Sequence, residues 1–191
     1  PLWSRGLGDV YKRQTQEFLG ILGHLLERMP DANLTVAINS SRFGPSTAKY
    51  FLGLGERTAG RVRLLRAVPF TKRLPLFANA DLTLWPGECD NYGLYPLMSL
   101  AAGTPVLSFA VPPQTDFLHP DVNAVLVKTK LDYDENGVVH AAADYGNYGE
   151  ALQELIAEPR HINALQRKTT FNLPVRRSSF EGTWCKLLGL N

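Results

Sequence analysis

The sequence predicts an α/β domain built on a parallel sheet with helices on both faces. Short apolar runs of strand length alternate along the chain with segments whose apolar residues recur every three or four positions. Such alternation is typical of parallel strands connected by helices. A length of 191 residues, 45% of them hydrophobic, is enough for one domain with a sizeable core.

Residues 15–191 supply the elements of this domain in order. The first is a helix whose apolar positions run from Phe18 to Met29 and which Pro30 ends. The apolar run Leu34–Ile38 predicts a buried strand. The next predicted elements are a helix at 46–54, a strand at 62–65, a helix at 74–79, a strand at 82–85, a helix at 95–102 and strands at 106–109 and 125–127.

Residues 128–148 interrupt this alternation. A strong turn signal, Asp134 to Gly137, stands between two short β-prone pieces and predicts a hairpin insertion. After it, helices are predicted at 150–157, 162–168 and 181–188. The sequence shows no internal repeat and no linker, so 15–191 is predicted to be a single domain.

The first fourteen residues have no helical or strand period. Within them, GLGDVYKRQ looks like translated adapter sequence, so 1–14 is expected to be a non-native or disordered segment; a frayed native terminus is the alternative. The whole chain has 20 Lys+Arg and 18 Asp+Glu, a formal charge of +2. The segment holds three basic residues and one acid, so the remainder is formally neutral.

Composition argues against several classes of protein. A near-neutral balance does not favour a dedicated nucleic-acid binder, and no apolar run approaches the ~20 residues that span a bilayer. Cys89 and Cys185 have neither metal-ligand spacing nor the number expected of a disulfide framework. Both are therefore interpreted as ordinary thiols of a reducing compartment, which excludes metal binding through sulfur and favours a cytoplasmic protein. No metal site and no cofactor are expected.

Residues of like charge are grouped in blocks along the chain. Six basic residues and no acid lie between Arg57 and Arg73, whereas twelve acids but only two lysines lie between Asp81 and Glu158. Solvated faces that pair across the fold are one interpretation. The other is that Arg66 or Lys72 faces an anionic ligand at the carboxyl edge of the sheet.

The stretch 84–108, LWPGECDNYGLYPLMSLAAGTPVLS, contains the candidate site. A strand ends at Trp85, a polar loop runs through Gly93, and a helix opens near Tyr95 with Pro96 in its first turn, where the missing N–H costs nothing. Amides at a helix N-terminus form an anion site suited to nucleotide phosphates, and Gly93 would let the backbone approach such a ligand.

Within this stretch, GLYPLMSLAAGTPV resembles the donor-binding C-terminal half of retaining GT-B glycosyltransferases of group 1, a family that includes sucrose and glycogen synthases. The resemblance extends upstream through RVRLLRAVPFTKRLPLFANADLTLWP and downstream through PPQTDFLHPDVNAVLV. It implies one Rossmann-like half of a GT-B fold that binds a nucleotide sugar, usually without a metal.

The resemblance also implies roles for particular residues. Asp90 takes the position of the family's first motif glutamate, the catalytic carboxylate beside the donor sugar, and Met98 that of the second, which grips the ribose hydroxyls. The Gly-Leu amides that approach the diphosphate fall on Gly93 and Leu94. The donor-binding residues expected from the sequence are Asn91, Tyr92, Gly93, Leu94, Met98 and Arg66.

Several positions depart from the family pattern. A thioether at Met98 cannot accept the hydrogen bonds of a ribose diol, which would weaken donor affinity by roughly tenfold to a hundredfold. Met98 is therefore also interpreted as a core-facing helix residue, and Asp90 as a turn former. Asn91 replaces a glycine, Pro112 and Pro113 a glycine pair, and Ala124 a further glycine.

The resulting hypothesis is the donor-binding half of a glycosyltransferase, inactive without a missing N-terminal domain that would bind a glycan, lipid or protein acceptor. No nucleic-acid partner is expected, and peripheral membrane association of the full-length protein is left open. A non-catalytic homologue acting as a binding or scaffold module is the alternative. A related GT-B sugar epimerase or phosphorylase is a third hypothesis.

Overall fold

The computed structural model describes residues 18–38, 45–87, 92–133 and 139–171. They form helices and parallel strands, which confirms the predicted α/β class. The chain divides into two compact units, Pro1–Arg73 with Ala143–Gln153 and Leu74–Ala142 with Glu154–Asn191. The single domain at 15–191 stays a prediction, and the predictions for 1–14 and 181–188 lie outside the described residues.

The first unit contains a two-stranded parallel sheet, with Leu34 opposite Val62 and Ile38 opposite Arg66. Much of its core comes from two helices, whose apolar residues are buried because they recur at helical spacing. The elements are α1 at 18–28, β1 at Leu34–Ile38, α2 at Pro45–Arg57 and β2 at Val62–Arg66. The buried residues of the helices are Leu19, Leu22, Leu25, Leu26, Ala48, Phe51 and Leu54.

Strand β1 has the predicted bounds, but the prediction that it is buried is wrong. Leu34 and Val36 are half-buried, whereas Thr35 and Ala37 are exposed. Successive side chains of a strand point to opposite faces of the sheet, so alternating half-buried and exposed residues are typical of a sheet with one covered face.

Arg61 holds the carboxyl end of α1. Its Nη1 donates to the carbonyls of Met29 at 2.6 Å and Ala32 at 2.8 Å, and its Nη2 donates to the carbonyl of Leu26 at 2.9 Å. The last carbonyls of a helix have no partner within the helix, and a cation there also interacts favourably with the helix dipole. One side chain thus joins the start of β2 to the end of α1.

We expect Arg61→Lys to lower the free energy of unfolding by about 1.5 kcal/mol, because lysine keeps the charge but cannot reach all three carbonyls. Urea unfolding of the 191-residue chain measures the loss. Arg63→Lys is the matched control, since Arg63 lies exposed on β2. Equal effects of the two substitutions would contradict the role of the Arg61 hydrogen bonds.

Tyr50 links α2 to α1 by donating its hydroxyl proton to the carbonyl of Leu19 at 2.5 Å. Burial raises the pKa of Tyr50 above its usual value of 10.0; nearby Arg57 lowers it and Glu27 raises it by smaller amounts. Because the folded-state pKa lies above that of the unfolded chain, this contribution to stability is complete below about pH 10 and is lost as pH rises through the folded-state pKa.

The wild-type chain is therefore expected to lose stability between pH 9 and 11 more steeply than the Tyr50→Phe variant, given that an unperturbed tyrosine titrates near pH 10. Urea unfolding across this pH range measures both slopes, and the other tyrosines are common to both proteins. Parallel curves would show that Tyr50 is not the group responsible.

The second unit contains a three-stranded parallel sheet in the order β3-β4-β5, with Val106 of the central strand between Thr83 and Ala124. All four residues of β4 are buried. Helix α4 packs against β3 and β4. The elements are β3 at Thr83–Trp85, α4 at Leu94–Ala101, β4 at Val106–Phe109, β5 at Ala124–Val127, β6 at Lys130–Tyr133, β7 at Val139–Ala142 and α6 at Pro159–Phe171.

Two helices that cross from one unit to the other along the chain begin earlier than predicted. Helix α3 spans Phe70–Ala78, and the Lys72 amide already donates to the carbonyl of Pro69 at 2.9 Å. Its Pro75 lies inside the helix, whereas the sequence places it near the start. Helix α5 spans Tyr145–Ala157 instead of 150–157, and two early glycines obscured its start.

Helix α5 has a side-chain cap that explains its position. One carboxylate oxygen of Asp144 accepts the Asn147 amide proton at 3.0 Å, and the other accepts from the Asn147 side chain at 2.9 Å. An aspartate before the first helical residue stabilises a helix by pairing an amide that otherwise has no partner.

The strands β6 and β7 pair antiparallel, with Lys130 opposite Ala142, within the stretch 128–148 for which the sequence predicts a hairpin. Thr129 Oγ1 donates to the carbonyl of Ala142 at 2.6 Å and closes the open end of this pair. The predicted turn at 134–137 lies outside the described residues.

A buried polar network joins α4 to the amino ends of β3 and β4. Ser99 Oγ lies 2.7 Å from Thr83 Oγ1 and 2.9 Å from the carbonyl of Thr104. Thr104 Oγ1 in turn donates to the carbonyl of Phe77 at 2.7 Å. The two Ser99 contacts hold α4 in place at the edge of the sheet opposite its carboxyl ends. The Thr104 hydroxyl binds α3 instead.

Candidate functional site

The carboxyl ends of β3, β4 and β5 share one edge of the second unit's sheet because the three strands are parallel. Pro86 and Gly87 follow β3, and α4 begins at Leu94 after residues 88–91, which lie outside the described ranges. Open parallel sheets bind ligands at this edge. The structure thus places the start of α4 where the sequence predicts a site.

The N-terminus of α4 has the features of an anion site. Gly93 precedes the helix in the left-handed conformation, with φ +61°, and makes no side-chain cap; the first turn contains no acid. The Leu94 amide therefore has no partner from the helix itself, and Pro96 has no N–H to satisfy. Helix amides and the positive end of the helix dipole favour an anionic ligand here.

The ring of Phe117 packs directly on Gly93. A Cβ atom added to Gly93 would lie 2.9 Å from Phe117 Cε1 and closer still to Cζ. Both the positive φ and this contact restrict the position to glycine. Phe117 also packs against a buried apolar cluster, so its ring is held from behind. The cluster consists of Leu100, Val106, Leu118 and Ala124.

A second aromatic contact supports the same loop. The rings of Trp85, at the end of β3, and Tyr95, in the first turn of α4, stack with centroids 5.4 Å apart. Gln114 is fully buried, and the amide orientation that satisfies both its ends accepts from Trp85 Nε1 at 3.3 Å and donates to the carbonyl of Val111 at 2.9 Å. The ends of β3 and β4 and the start of α4 are thereby joined.

The predicted site residues are only partly within the described ranges. Asp90 and Asn91 lie outside them. Tyr92 is 80% exposed and Leu94 47% exposed, and both flank the buried Gly93. The structure therefore brings an exposed aromatic ring, an exposed leucine and a helix N-terminus together at the carboxyl edge.

The interpretation of Met98 as a core-facing residue stays a prediction. The core face of α4 is formed by Pro96, Ser99 and Leu100, which are buried. Met98 is half-buried and shares a helix face with Leu94, four positions earlier, because residues four apart lie on the same side of a helix. Met98 therefore lies on the α4 face that begins at the anion site.

Arg66 lies in the first unit, exposed at the carboxyl end of β2, and Lys72 is also exposed. Other members of the same basic block have structural partners. Arg57 Nε donates to Glu27 Oε1 at 2.8 Å on the surface, and Arg61 binds three carbonyls. Within this basic block, Arg61 therefore caps a helix and Arg57 forms a surface ion pair. A role of Arg66 in ligand binding stays a prediction.

The described residues contain no group of three His, Cys, Asp or Glu side chains placed to hold a metal ion. None of their helices is both long and apolar enough to cross a bilayer. An open groove of about 340 Å³ in the first unit is lined by α1 and α5, with His24 and Glu150 at its surface, and contains none of the predicted site residues.

Sequence reasoning missed the side chains that support the site. Phe117 and Gln114 lie in the stretch that resembles the family, but neither had a predicted role. Two signals were available, a glutamine after a proline pair and an aromatic residue three positions later. Neither signal identifies the partner, since the contact with Gly93 depends on tertiary packing.

Comparisons with known proteins bear on the fold. Neither models of known protein families nor curated protein sequences give a match. Among solved structures, the GtfA/B complex is similar with a TM-score of 0.67 at 16% identity, covering 91% of this chain and 32% of that chain.

Two further structures are similar over most of the chain. The C-terminal domain of a glycosyl transferase group 1 family protein, LpcC from Francisella tularensis, gives a TM-score of 0.62 at 15% identity and covers 83% of this chain and 76% of that domain. Sucrose-phosphate synthase from Thermosynechococcus elongatus gives 0.60 at 17% identity and covers 92% of this chain and 43% of that chain.

The chain therefore spans about a third of the first structure and under half of the third. At identities of 15 to 17% the likeness concerns the fold alone. It confirms the predicted architecture: the chain has the Rossmann-like fold of one half of a GT-B glycosyltransferase.

Proposed function

We propose that this chain is the donor-binding half of a retaining glycosyltransferase, which transfers a sugar from a nucleotide sugar to an acceptor. The observation that carries the proposal is the N-terminus of α4, which the buried Gly93 opens without a side-chain cap at the carboxyl edge of a parallel sheet. It occurs in a fold similar to that of a glycosyl transferase group 1 domain and a sucrose-phosphate synthase.

In this proposal the α4 amides take the diphosphate of the donor. The first-turn amides and the helix dipole would stabilise the negative charge that develops as the nucleoside diphosphate leaves, and fixed dipoles of this kind are usually the largest catalytic contribution. Pro112 and Pro113, which follow β4, have no N–H, so the loop adds no amide at these two positions. We therefore assign the diphosphate to α4 and not to these two positions.

The roles proposed for residues near the sugar, and for the acceptor, rest on the resemblance to the glycosyltransferase family. Asp90 would contact the hydroxyls of the donor sugar, and Tyr92 and Asn91 would flank it. The acceptor, a glycan, lipid or protein, would bind to a second half, so we expect the chain alone to bind donor without transferring sugar. Retention would be tested by the anomeric configuration of the product once both halves are combined.

A non-catalytic binding module is the second candidate, and Met98 favours it. A thioether is a weak acceptor and would leave the ribose hydroxyls of a nucleotide without a strong partner at that position. Such a module would keep the fold and the helix N-terminus but bind a nucleotide sugar weakly or not at all.

Titration of the 191-residue chain with UDP-glucose, UDP-N-acetylglucosamine, GDP-mannose and ADP-glucose tests the proposal. We expect at least one of them to bind with a Kd between roughly 1 μM and 1 mM, the ordinary range for enzyme substrates, and to shift the NMR amide signals of Gly93 and Leu94. Absence of binding by all four, or shifts confined to other residues, would sink the donor-site assignment.

A further inference from the structure

The loop between β4 and β5 is held by one buried side chain. Asn123 is 1% exposed and uses both ends of its amide. Its Oδ1 accepts the His119 amide proton at 2.7 Å, and its Nδ2 donates to the carbonyl of Phe117 at 3.0 Å. A buried amide satisfied in this way fixes the backbone on both sides of the loop.

The Phe117 carbonyl is the important partner because of what the Phe117 ring does. The ring occupies the space where a Cβ of residue 93 would stand and rests on the buried cluster behind it. A shift of the Phe117 backbone would therefore move the surface on which Gly93 packs, and with it the first turn of α4. Close-packed interiors transmit such shifts to neighbouring groups.

We propose that Asn123 is a positioning residue of the donor site: it holds Phe117 against Gly93 and thereby fixes the orientation of the α4 amides. Asn123 does not touch the ligand in this scheme and acts only through Phe117. The inference deepens the proposed function and rests on it for the identity of the ligand. The geometric part, from Asn123 through Phe117 to Gly93, stands on contacts within the second unit.

Asn123→Ala in the 191-residue chain is the test variant, and Thr104→Ala is its control. Thr104 is 2% exposed and also donates a side-chain hydrogen bond, to the carbonyl of Phe77, but it lies before β4 at the amino end of the strands. We expect similar losses of thermal stability in both variants. Only Asn123→Ala should move the amide signals of Gly93 and Leu94 and weaken binding of the nucleotide sugar, by about tenfold, since small misplacements in a site are costly.

A double-mutant cycle with Phe117→Leu tests whether Asn123 acts through Phe117. Residues that act through the same contact are not additive, so the double variant should bind the nucleotide sugar about as weakly as either single variant instead of about a hundredfold more weakly than wild type. Full additivity, or an unchanged affinity in Asn123→Ala, overturns the inference. If Asn123→Ala does not fold, unchanged Gly93 and Leu94 signals in Phe117→Leu overturn it.

The outcome separates this inference from the proposed function. If the wild-type chain binds none of the four nucleotide sugars, the proposed function fails, and the amide signals still decide whether Asn123 positions α4. If the wild-type chain binds and Asn123→Ala binds equally well with unmoved signals, the proposed function stands and the positioning role fails.

Discussion

Replacing Gly93 with alanine is expected to remove most of the affinity for a nucleotide sugar and to destabilise the second unit. Alanine strongly disfavours a φ of +61°, and its Cβ would collide with the ring of Phe117. Backbone strain and overpacking each cost about 1–3 kcal/mol, so a total loss of about 2–6 kcal/mol is expected. Urea unfolding measures it.

The effect on binding comes from the same contact. If Phe117 moves to make room, the first turn of α4 loses its packing surface, and if the backbone at residue 93 moves instead, the Leu94 amide is reoriented. We expect donor affinity to fall at least tenfold in either case, because oriented amides act only at the correct distance and angle. Calorimetric titration below the unfolding temperature of the variant separates this loss from unfolding.

Gly20→Ala is the matched control for Gly93→Ala. Gly20 is an exposed residue inside α1, and a Cβ added there meets no atom within 4 Å. Alanine in an exposed helix position is more favourable than glycine by about 1 kcal/mol, so this variant should be slightly more stable and should bind donor normally. If Gly93→Ala behaved in the same way, neither the strain nor the anion site would be real.

Local pattern predicts the strands of this chain well. The bounds of β1 and β4 follow directly from the apolar runs Leu34–Ile38 and Val106–Phe109, because a run of this length between turn residues has few alternatives. The burial of β1 could not be obtained in this way. Whether a face of a strand is covered depends on the packing around its sheet, which a run of five residues does not encode.

The helix starts that the sequence misplaced have a physical cause. Asp144 caps α5 although Gly146 and Gly149 follow within five residues, and glycines lower the expectation of a helix. Pro75 lies inside α3, where a proline is unfavourable, so the sequence placed it near a helix start. In both helices the folded chain tolerates residues that local propensity disfavours.

The site shows the same division between pattern and packing. Gly93 and Leu94 could be placed at the start of a helix from the order strand, loop, glycine and proline. The contact of Phe117 with Gly93 joins residues 24 positions apart, and no periodicity connects them. The role of Met98 depends on which face of α4 is buried, and the sequence alone allows both interpretations of this residue.

Met98→Glu is expected to strengthen binding of a nucleotide sugar by roughly tenfold to a hundredfold, because hydrogen bonds to a charged group contribute about 1.5–3 kcal/mol. The position is half-buried on the face of α4 that begins at Leu94, so a carboxylate there can reach a ligand bound at the helix start.

Met98→Leu and Met98→Gln separate charge from shape. Leucine keeps the apolar volume and should leave affinity unchanged, whereas glutamine offers a neutral acceptor and should give a smaller gain than glutamate. The gain of Met98→Glu should vanish for the corresponding 2′,3′-dideoxy nucleotide sugar, which has no ribose hydroxyls. An equal gain for both ligands would mean that residue 98 does not face the ribose, and no binding by any variant would favour the non-catalytic module.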